Sequence, residues 1–197
     1  MKSIEIKGTA RQIAERSSER ARTLKTIRKS NGVPCVLYGG KENVHFTVTN
    51  DMLRNLVYTP DIYLVNLDID NKKITAIMKD IQFHPVKDTI LHVDFLEIDA
   101  TKPIVIGVPV QLEGLADGVK AGGKLTLQIR KLKVRALYEN VPEKLTIDVS
   151  KLGLGKTIQV GQLSFKDLEL LNAKDNVVCA VKLTRAARGL AAAQQNK

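Results

Sequence analysis

Alternation of apolar and polar residues dominates the first half of the chain and predicts a set of short β-strands. Successive side chains of a strand point to opposite faces, so each run offers one apolar face to a shared core. The pair Asp70-Asn71 separates two of the runs and is typical of a tight hairpin turn. Short strands in this number indicate a barrel or a strongly bent sheet. The predicted strands span residues 2–9, 33–38, 44–49, 61–70 and 72–79.

Two short helices are predicted between these strands, over residues 18–30 and from about residue 50 to Val57. Gly32 follows the first of them closely enough to end it. The N-cap candidates are Ser17 or Ser18 for the first helix and Thr49 or Asn50 for the second.

The segment that leads into and forms the first helix carries an excess of positive charge. Against its basic side chains stand only Glu15 and Glu19. A helix that is merely solvated usually mixes both signs, so the imbalance favours contact with phosphate groups over the solvated alternative. The basic residues are Arg11, Arg16, Arg20, Arg22, Lys25, Arg28 and Lys29.

The stretch 79–99, KDIQFHPVKDTILHVDFLEID, predicts two strands joined by a short turn that contains a proline. If the apolar residues of the second strand point inward, His92 and Asp94 stand side by side on the outer face. Histidine donates or accepts a hydrogen bond and ionised aspartate only accepts, so the pair is suited to reading the edge of a base. The alternative is a pair that simply faces solvent. The residues assumed to point inward are Leu91, Val93 and Phe95.

Tyr38 ends another apolar run and is followed by Gly39 and Gly40. Glycines allow a second backbone to approach closely, and a tyrosine can stack on a base or donate its hydroxyl group. An ordinary surface tyrosine has equal weight from the sequence alone.

A new strand pattern begins after residues 99–103, which predicts a domain boundary there. Prolines within the first new strand predict that it lies at a sheet edge, and a glycine-rich loop, 114–124, follows it. The last residues, 185–197, are basic and are expected to form a disordered or weakly helical tail. The strands predicted in this half span residues 103–112, 124–137, 144–149, 157–160 and 177–183.

Two stretches of the second half imitate a phosphate-binding loop. GVKAGGKL, 118–125, ends in leucine where serine or threonine should hold Mg²⁺, and SKLGLGKT, 150–157, lacks the first glycine. A working loop is followed by a helix whose N-terminus meets the phosphates, whereas strand patterns follow both stretches. Turns between strands are therefore predicted, and a nucleotide hydrolase is disfavoured.

Chain length, composition and net charge limit the remaining classes of protein. The chain has 197 residues, enough for one large domain or two small ones, with 31 Lys and Arg against 21 Asp and Glu. A net charge of +10 points to a polyanionic partner, either nucleic acid or an anionic membrane. No apolar run approaches the roughly 18 residues of a membrane span, and no signal-peptide core is present, so we expect a soluble, intracellular protein. Cys35 and Cys179 are expected to be buried free thiols, and neither a metal site nor a cofactor is expected.

The motifs RKSNGVPCVLYGG and KDIQFHPVKDTILHVDFLEID together resemble the bacterial ribosomal large-subunit protein L25 family, which binds 5S ribosomal RNA. The stretches VPVQLEGLADGVKAGGKL and VPEKLTIDVSKLGLGKTIQVGQL are similar to the extra C-terminal domain of the two-domain branch of that family, the CTC or general-stress-protein type. The resemblance covers nearly the whole chain apart from the tail.

The resemblance implies a mainly β protein with a six-stranded N-terminal barrel, 1–99, a second β-rich domain, 100–184, and the tail. It implies that the barrel binds the loop E region of 5S ribosomal RNA, with no catalytic residue. Family contacts fall on Arg28, Tyr38, His92 and Asp94, and Arg20 matches a further arginine. Additional contacts expected from charge and position are Arg22, Lys25, Lys29, Lys41, Gln82 and Lys87.

The function expected from this resemblance is a structural part of the large ribosomal subunit in the cytoplasm. Its partners would be 5S ribosomal RNA and, through the C-terminal domain, neighbouring ribosomal proteins. A monomer is expected outside the ribosome, and no membrane contact is expected. The alternative is an RNA-binding stress protein that associates with ribosomes only transiently.

Overall fold

The computed structural model describes residues 2–13, 16–40 and 42–185. The fold is mainly β, as predicted, and the chain divides into two compact units between Ile104 and Val105. Among the described residues, no helix has the length and apolar character that crossing a membrane requires.

Six strands of the first unit form a closed barrel in the order β1-β3-β2-β6-β5-β4. The barrel closes through parallel pairing of β1 with β4, in which Ile4 lies opposite Val65. A second parallel pair joins β2 to β6, and the remaining neighbours are antiparallel. The six-stranded barrel implied by the resemblance is confirmed. Its strands are β1 (Lys2–Ala10), β2 (Gly32–Tyr38), β3 (Val44–Thr49), β4 (Tyr63–Ile69), β5 (Lys72–Phe83) and β6 (Ile90–Glu97).

The barrel interior is filled by the apolar set of each alternating strand. Phe46 and Phe95 are fully buried, and their ring centroids lie 5.8 Å apart with the rings tilted. Aliphatic side chains from all six strands surround these two rings. Cys35 is also fully buried, and its burial raises the pKa of the thiol to about 12, so the thiol is inert at neutral pH.

The hairpin between β4 and β5 turns at the predicted pair. Asp70 and Asn71 have φ angles of 49° and 69°, the left-handed conformations that a two-residue hairpin turn requires. The hairpin between β5 and β6 is longer, and its register shifts between Met78 and Asp80 and again near Phe83. Phe83, at the second of these bulges, is 41% exposed.

Helix α1 spans Ser17–Lys29 and α2 spans Asn50–Val57. The expectation that Ser17 or Ser18 caps α1 is wrong, because Arg16 holds the cap position and no side chain accepts a hydrogen bond there. Asn31, with a φ of 61°, is the left-handed residue after α1, and Gly32 already belongs to β2. α2 contributes Leu53 and Leu56 to the core. Thr49 occupies its cap position without a side-chain hydrogen bond.

The second unit contains two small sheets. One has four strands in the order β10-β7-β9-β12, and the other has three in the order β11-β13-β8. A short helix, α3, spans Asp117–Lys120, and single 3₁₀ turns span Tyr138–Asn140 and Val160–Gln162. The strands are β7 (Ile104–Glu113), β8 (Lys124–Leu127), β9 (Lys131–Ala136), β10 (Leu145–Asp148), β11 (Thr157–Gln159), β12 (Glu169–Leu170) and β13 (Val177–Lys182).

Two expectations for this unit are wrong. The run 124–137 is not one strand, because the backbone N–H groups of Gln128 and Ile129 both donate to the carbonyl of Val178 and the chain then passes into the other sheet. The strand with internal prolines is not at an edge, since β7 lies between β10 and β9. Pro109 is tolerated because pairing with β10 begins one residue later, at Val110.

Strands follow both stretches that imitate phosphate loops, as predicted. The first stretch begins within the single turn of α3 and leads into β8, and the second is a turn that leads into β11. The turns pack on each other, since the N–H of Gly118 donates to the carbonyl of Leu152 at 2.9 Å. A Cβ on Gly118 would lie 2.6 Å from the backbone of Gly153, so the glycine serves close packing.

Candidate nucleic-acid interface

Helix α1 is attached to the barrel by Arg28, which the sequence analysis gave as a candidate RNA contact. The Arg28 guanidinium donates two hydrogen bonds, of 3.0 and 3.3 Å, to the carbonyl oxygen of Leu91 in β6. None of the residues of α1 is fully buried, and only Leu24 and Ile27 are half-buried. The helix is therefore an exposed, cationic element fixed beside β6.

A groove of about 540 Å³, the α1–β6 groove, runs between this helix and the β5–β6 hairpin. Its basic lining residues come from both elements, and among the described residues no acidic side chain lines it. Unpaired positive charge in a concave site concentrates its field toward an incoming anion. The basic lining residues are Lys25, Arg28, Lys29 and Lys87.

A second groove of about 310 Å³, the α1–β3 groove, lies on the barrel surface between α1, β3 and β6. Arg11 and Arg20 line it together with His45 and His92, and none of its described lining residues is acidic. The backbone N–H of Arg11 donates to the carbonyl of His45 at 2.8 Å, while its side-chain Nε is buried and has no hydrogen-bond partner among the described residues. The two grooves thus place cations on both sides of α1.

Burial affects the charged groups of the α1–β3 groove. It lowers the pKa of the Arg11 guanidinium, and the nearby positive Arg28 also lowers it. Burial likewise lowers the pKa of His45, to which Arg11 and His92 add repulsion. Arginine stays protonated in proteins, so Arg11 keeps its charge, whereas His45 is favoured as the neutral ring at neutral pH.

His92 and Asp94 are adjacent on the outer face, as predicted, and they are bonded to each other. His92 Nδ1 lies 2.7 Å from Asp94 Oδ1, and the side chains are only 23% and 29% exposed. An ionised carboxylate can only accept, so Nδ1 carries the shared proton and Nε2 of the neutral ring is an acceptor. Asp94 therefore fixes the tautomer that His92 presents to a ligand.

Strand register extends this pair into a polar surface across four strands. Gln82 lies opposite His92, and Asp80 lies opposite Asp94. On the other side Asp94 pairs with Val36, which in turn pairs with His45 of β3. This arrangement places both hydrogen-bond donors and hydrogen-bond acceptors beside the cationic grooves.

Tyr38, at the end of β2, is half-buried beside this surface. Burial raises the pKa of its hydroxyl group, and the carboxylates of Asp94 and Asp80 raise it further. The hydroxyl therefore stays protonated and can donate a hydrogen bond.

We expect Gly39→Ala to destabilise the barrel by about 1–3 kcal/mol, because Gly39 has a φ of 99° and a Cβ would meet Leu96 Cδ1 at 2.7 Å. Urea denaturation measures this loss. Gly153→Ala is the matched control, since its φ is not positive and its Cβ would lie 3.7 Å from the nearest atom. An equal loss of unfolding free energy in the two variants would contradict the prediction that a side chain at position 39 strains the backbone.

The remaining predicted contacts divide into three groups. Gln82 is exposed on the sheet surface and Lys87 lies in the β5–β6 turn, where the backbone N–H groups of Val86 and Lys87 approach His84 Nδ1 at 3.2 Å. Arg22 is exposed on α1 but lines neither groove. Lys41 lies outside the described residues, as do residues 186–197 of the predicted tail.

Arg11 and His45 were missing from the predicted set. The charge of Arg11 was noted, but its place in a groove depends on how β1, β3 and α1 meet. Alternation puts His45 on the outer face of β3, yet only the pairing of β2 with both β3 and β6 places it near Asp94. Within the described part of the chain, no group of His, Cys, Asp and Glu residues has a metal-binding arrangement.

Fold and site together define a small β-barrel protein whose basic surface is suited to a polyanion. The profile of the Ribosomal L25p family matches residues 9–95, and that of the ribosomal protein TL5 C-terminal domain matches residues 103–185. The chain therefore belongs to the Ribosomal L25p family, in its two-domain form, which confirms the resemblance inferred from the sequence.

Relatives of similar length support this membership. The chain is 77% identical over 193 residues to the large ribosomal subunit protein bL25 of Bacteroides fragilis, which covers 98% of each chain. It is 76% identical over 193 residues to bL25 of Bacteroides thetaiotaomicron, again covering 98% of each. It is 62% identical over 199 residues to bL25 of Phocaeicola vulgatus, with 98% of each chain covered.

Proposed function

We propose that this protein binds the loop E region of 5S ribosomal RNA through its N-terminal domain, residues 1–99. Family membership makes it a structural, non-enzymatic component of the large ribosomal subunit in the bacterial cytoplasm. The observation that carries the finer proposal is the pair of cationic grooves on either side of α1, whose described lining residues include no acid.

Affinity in this proposal comes mainly from the grooves. Lysine and arginine side chains that neutralise phosphates release counterions, and this release makes binding strong and dependent on salt. Phosphate contacts fix the position of the protein without reading sequence. Lys25, Lys29 and Lys87 line one groove and Arg11 and Arg20 the other, so α1 would lie along an RNA groove with backbone contacts on both sides.

Recognition would come from the polar surface beside the grooves. Loop E contains non-Watson–Crick pairs, which expose base edges and 2′-hydroxyl groups to protein side chains. His92 Nε2 offers an acceptor, Tyr38 offers a donor, and Gln82 offers both. The free oxygen of Asp94 must meet an RNA donor such as a guanine amino group, because a carboxylate facing a polyanion without one is unfavourable.

We predict that Asp94→Asn lowers the preference for 5S ribosomal RNA over plain duplex about tenfold, which corresponds to the loss of one hydrogen bond to a charged group. It would lower the preference because the amide no longer penalises non-cognate RNA and no longer fixes the His92 tautomer. The measurement is the ratio of the two dissociation constants.

Asp167→Asn is the matched control for that experiment. Asp167 is exposed in the second unit, and its φ of 58° is a conformation that asparagine tolerates, so the variant makes the same charge change outside the barrel. A ratio unchanged by Asp94→Asn, or changed equally by both variants, would contradict the role of Asp94.

Co-sedimentation tests the ribosomal part of the proposal. A constitutive component is expected to appear with large subunits at constant stoichiometry during growth and after stress. Recovery with subunits only after stress would instead support a transient RNA-binding stress protein.

A further inference from the structure

Strand β9 of the second unit carries a row of positive charge on its exposed face. Leu132, Val134 and Ala136 are buried, at 0%, 0% and 6% exposure, so the alternate residues point outward. The outward residues of the strand are Lys131, Lys133 and Arg135.

Acidic residues hardly offset this row, which we call the β9 face. Residues 118–138 contain no Asp or Glu and are rich in Lys and Arg. Arg135 pairs with Glu169 at 3.4 Å, but both side chains are at least half exposed, where an ion pair contributes little and exchanges readily. Within the residues that the structure describes, the side chains of Lys131 and Lys133 form no ion pair.

The surface beside the row is open. Gly107 of the neighbouring strand β7 lies next to Lys131, and a Cβ on Gly107 would stand 3.7 Å from the Cβ of that lysine. The absent side chain leaves one flank of the row free. The row ends at Leu137, which is 41% exposed.

We infer that the β9 face binds the sugar-phosphate backbone of a ribosomal RNA segment. Outward side chains of a strand recur about every 6.6 Å, a spacing comparable to that of successive phosphates along an RNA strand. Protein interfaces have an apolar centre depleted of charged residues, whereas every outward position of β9 is charged. An RNA backbone therefore fits the face better than an acidic protein does. This contact is separate from the proposed loop E site, which lies in the other unit.

The test compares the full-length double variant Lys131→Gln/Lys133→Gln with Lys144→Gln/Lys166→Gln, in which two exposed lysines away from β9 are neutralised. Both variants lose the same charge, and Arg135 keeps its partner. Binding to deproteinised large-subunit ribosomal RNA is measured across salt concentrations. The β9 variant is expected to lower the slope of log affinity against log salt by about 1.5, the value for two phosphate contacts. The control variant should leave the slope unchanged.

A second experiment tests which part of the protein lies beside the RNA. An iron chelate attached to Lys133→Cys in the full chain, within reconstituted large subunits, should cleave ribosomal RNA nearby, and one at Lys166→Cys should give a different pattern or none. The native Cys35 and Cys179 are both fully buried, so labelling goes to the introduced residue.

Equal slopes for the two double variants, or cleavage of a neighbouring protein without cleavage of RNA from position 133, would overturn the inference. Binding of every variant to isolated 5S ribosomal RNA is measured in parallel. Normal 5S binding together with equal salt slopes for the two double variants would reject only this inference. Failure of the wild-type protein to bind 5S ribosomal RNA would reject the proposed function instead.

Discussion

Phe95→Ala is expected to lower the free energy of unfolding of the barrel by about 3–5 kcal/mol, the usual loss for a fully buried phenylalanine. Phe95 is completely inaccessible and packs against Phe46 at the centre of the core. It also follows Asp94 directly on β6, so the cavity left by its ring lies beneath the polar surface. The measurement is a urea titration followed by the NMR signals of barrel amides.

Phe83→Ala is the matched control, since it deletes the same ring from a residue that is 41% exposed on β5. It should cost about 1 kcal/mol or less, because little apolar area is lost from the core. A Phe95→Ala loss as small as the control would mean that the barrel interior is not packed as the structure shows.

Replacing Lys25, Lys29 and Lys87 together by glutamine is expected to weaken binding to 5S ribosomal RNA about 100-fold at ~0.15 M salt. Each lysine lines the α1–β6 groove, and each phosphate contact contributes about 0.7–0.9 to the salt slope. The slope should therefore fall by about 2–3 while the fold stays intact. Filter binding at several salt concentrations measures both quantities.

The control for this variant neutralises Lys7, Lys72 and Lys73, three exposed lysines elsewhere on the barrel. Lys7 and Lys73 share a depression with Glu5 and Asp68, so charge there is mixed rather than purely positive. Affinity that falls equally in the two triple variants would show that the helix groove is only part of a general polyanion attraction.

The barrel strands were predictable because the signal is local. A period of two in residues such as those of β3 fixes both the strand and its inner face, and the bounds Val44–Thr49 agree with the prediction. The same period put His92 and Asp94 side by side on the outer face, where the structure finds them bonded. Alternation indicated a barrel or a strongly bent sheet, and the family resemblance implied six strands in a barrel. The order of the strands was not predicted.

The errors over Pro109 and His45 share a cause, which is that pairing between distant strands leaves no periodic trace. The single strand expected over 124–137 is a different error, because the apolar positions change phase between Ile129 and Leu132, where the chain passes from one sheet to the other. Pro109 predicts an edge only if its own position is paired, and here pairing with β10 begins after it. His45 joins the candidate site through the register of two neighbouring strands, which no single segment encodes.

The most direct test of the central claim is binding of the full-length protein to 5S ribosomal RNA and to a variant of that RNA whose loop E is replaced by Watson–Crick pairs. The titrations would be repeated at several salt concentrations. The account predicts tight binding to the natural RNA, much weaker binding to the variant, and a steep loss of both affinities with salt. Equal affinity for the two RNAs would contradict it, since the surface around His92 and Asp94 would then read nothing beyond the phosphate backbone.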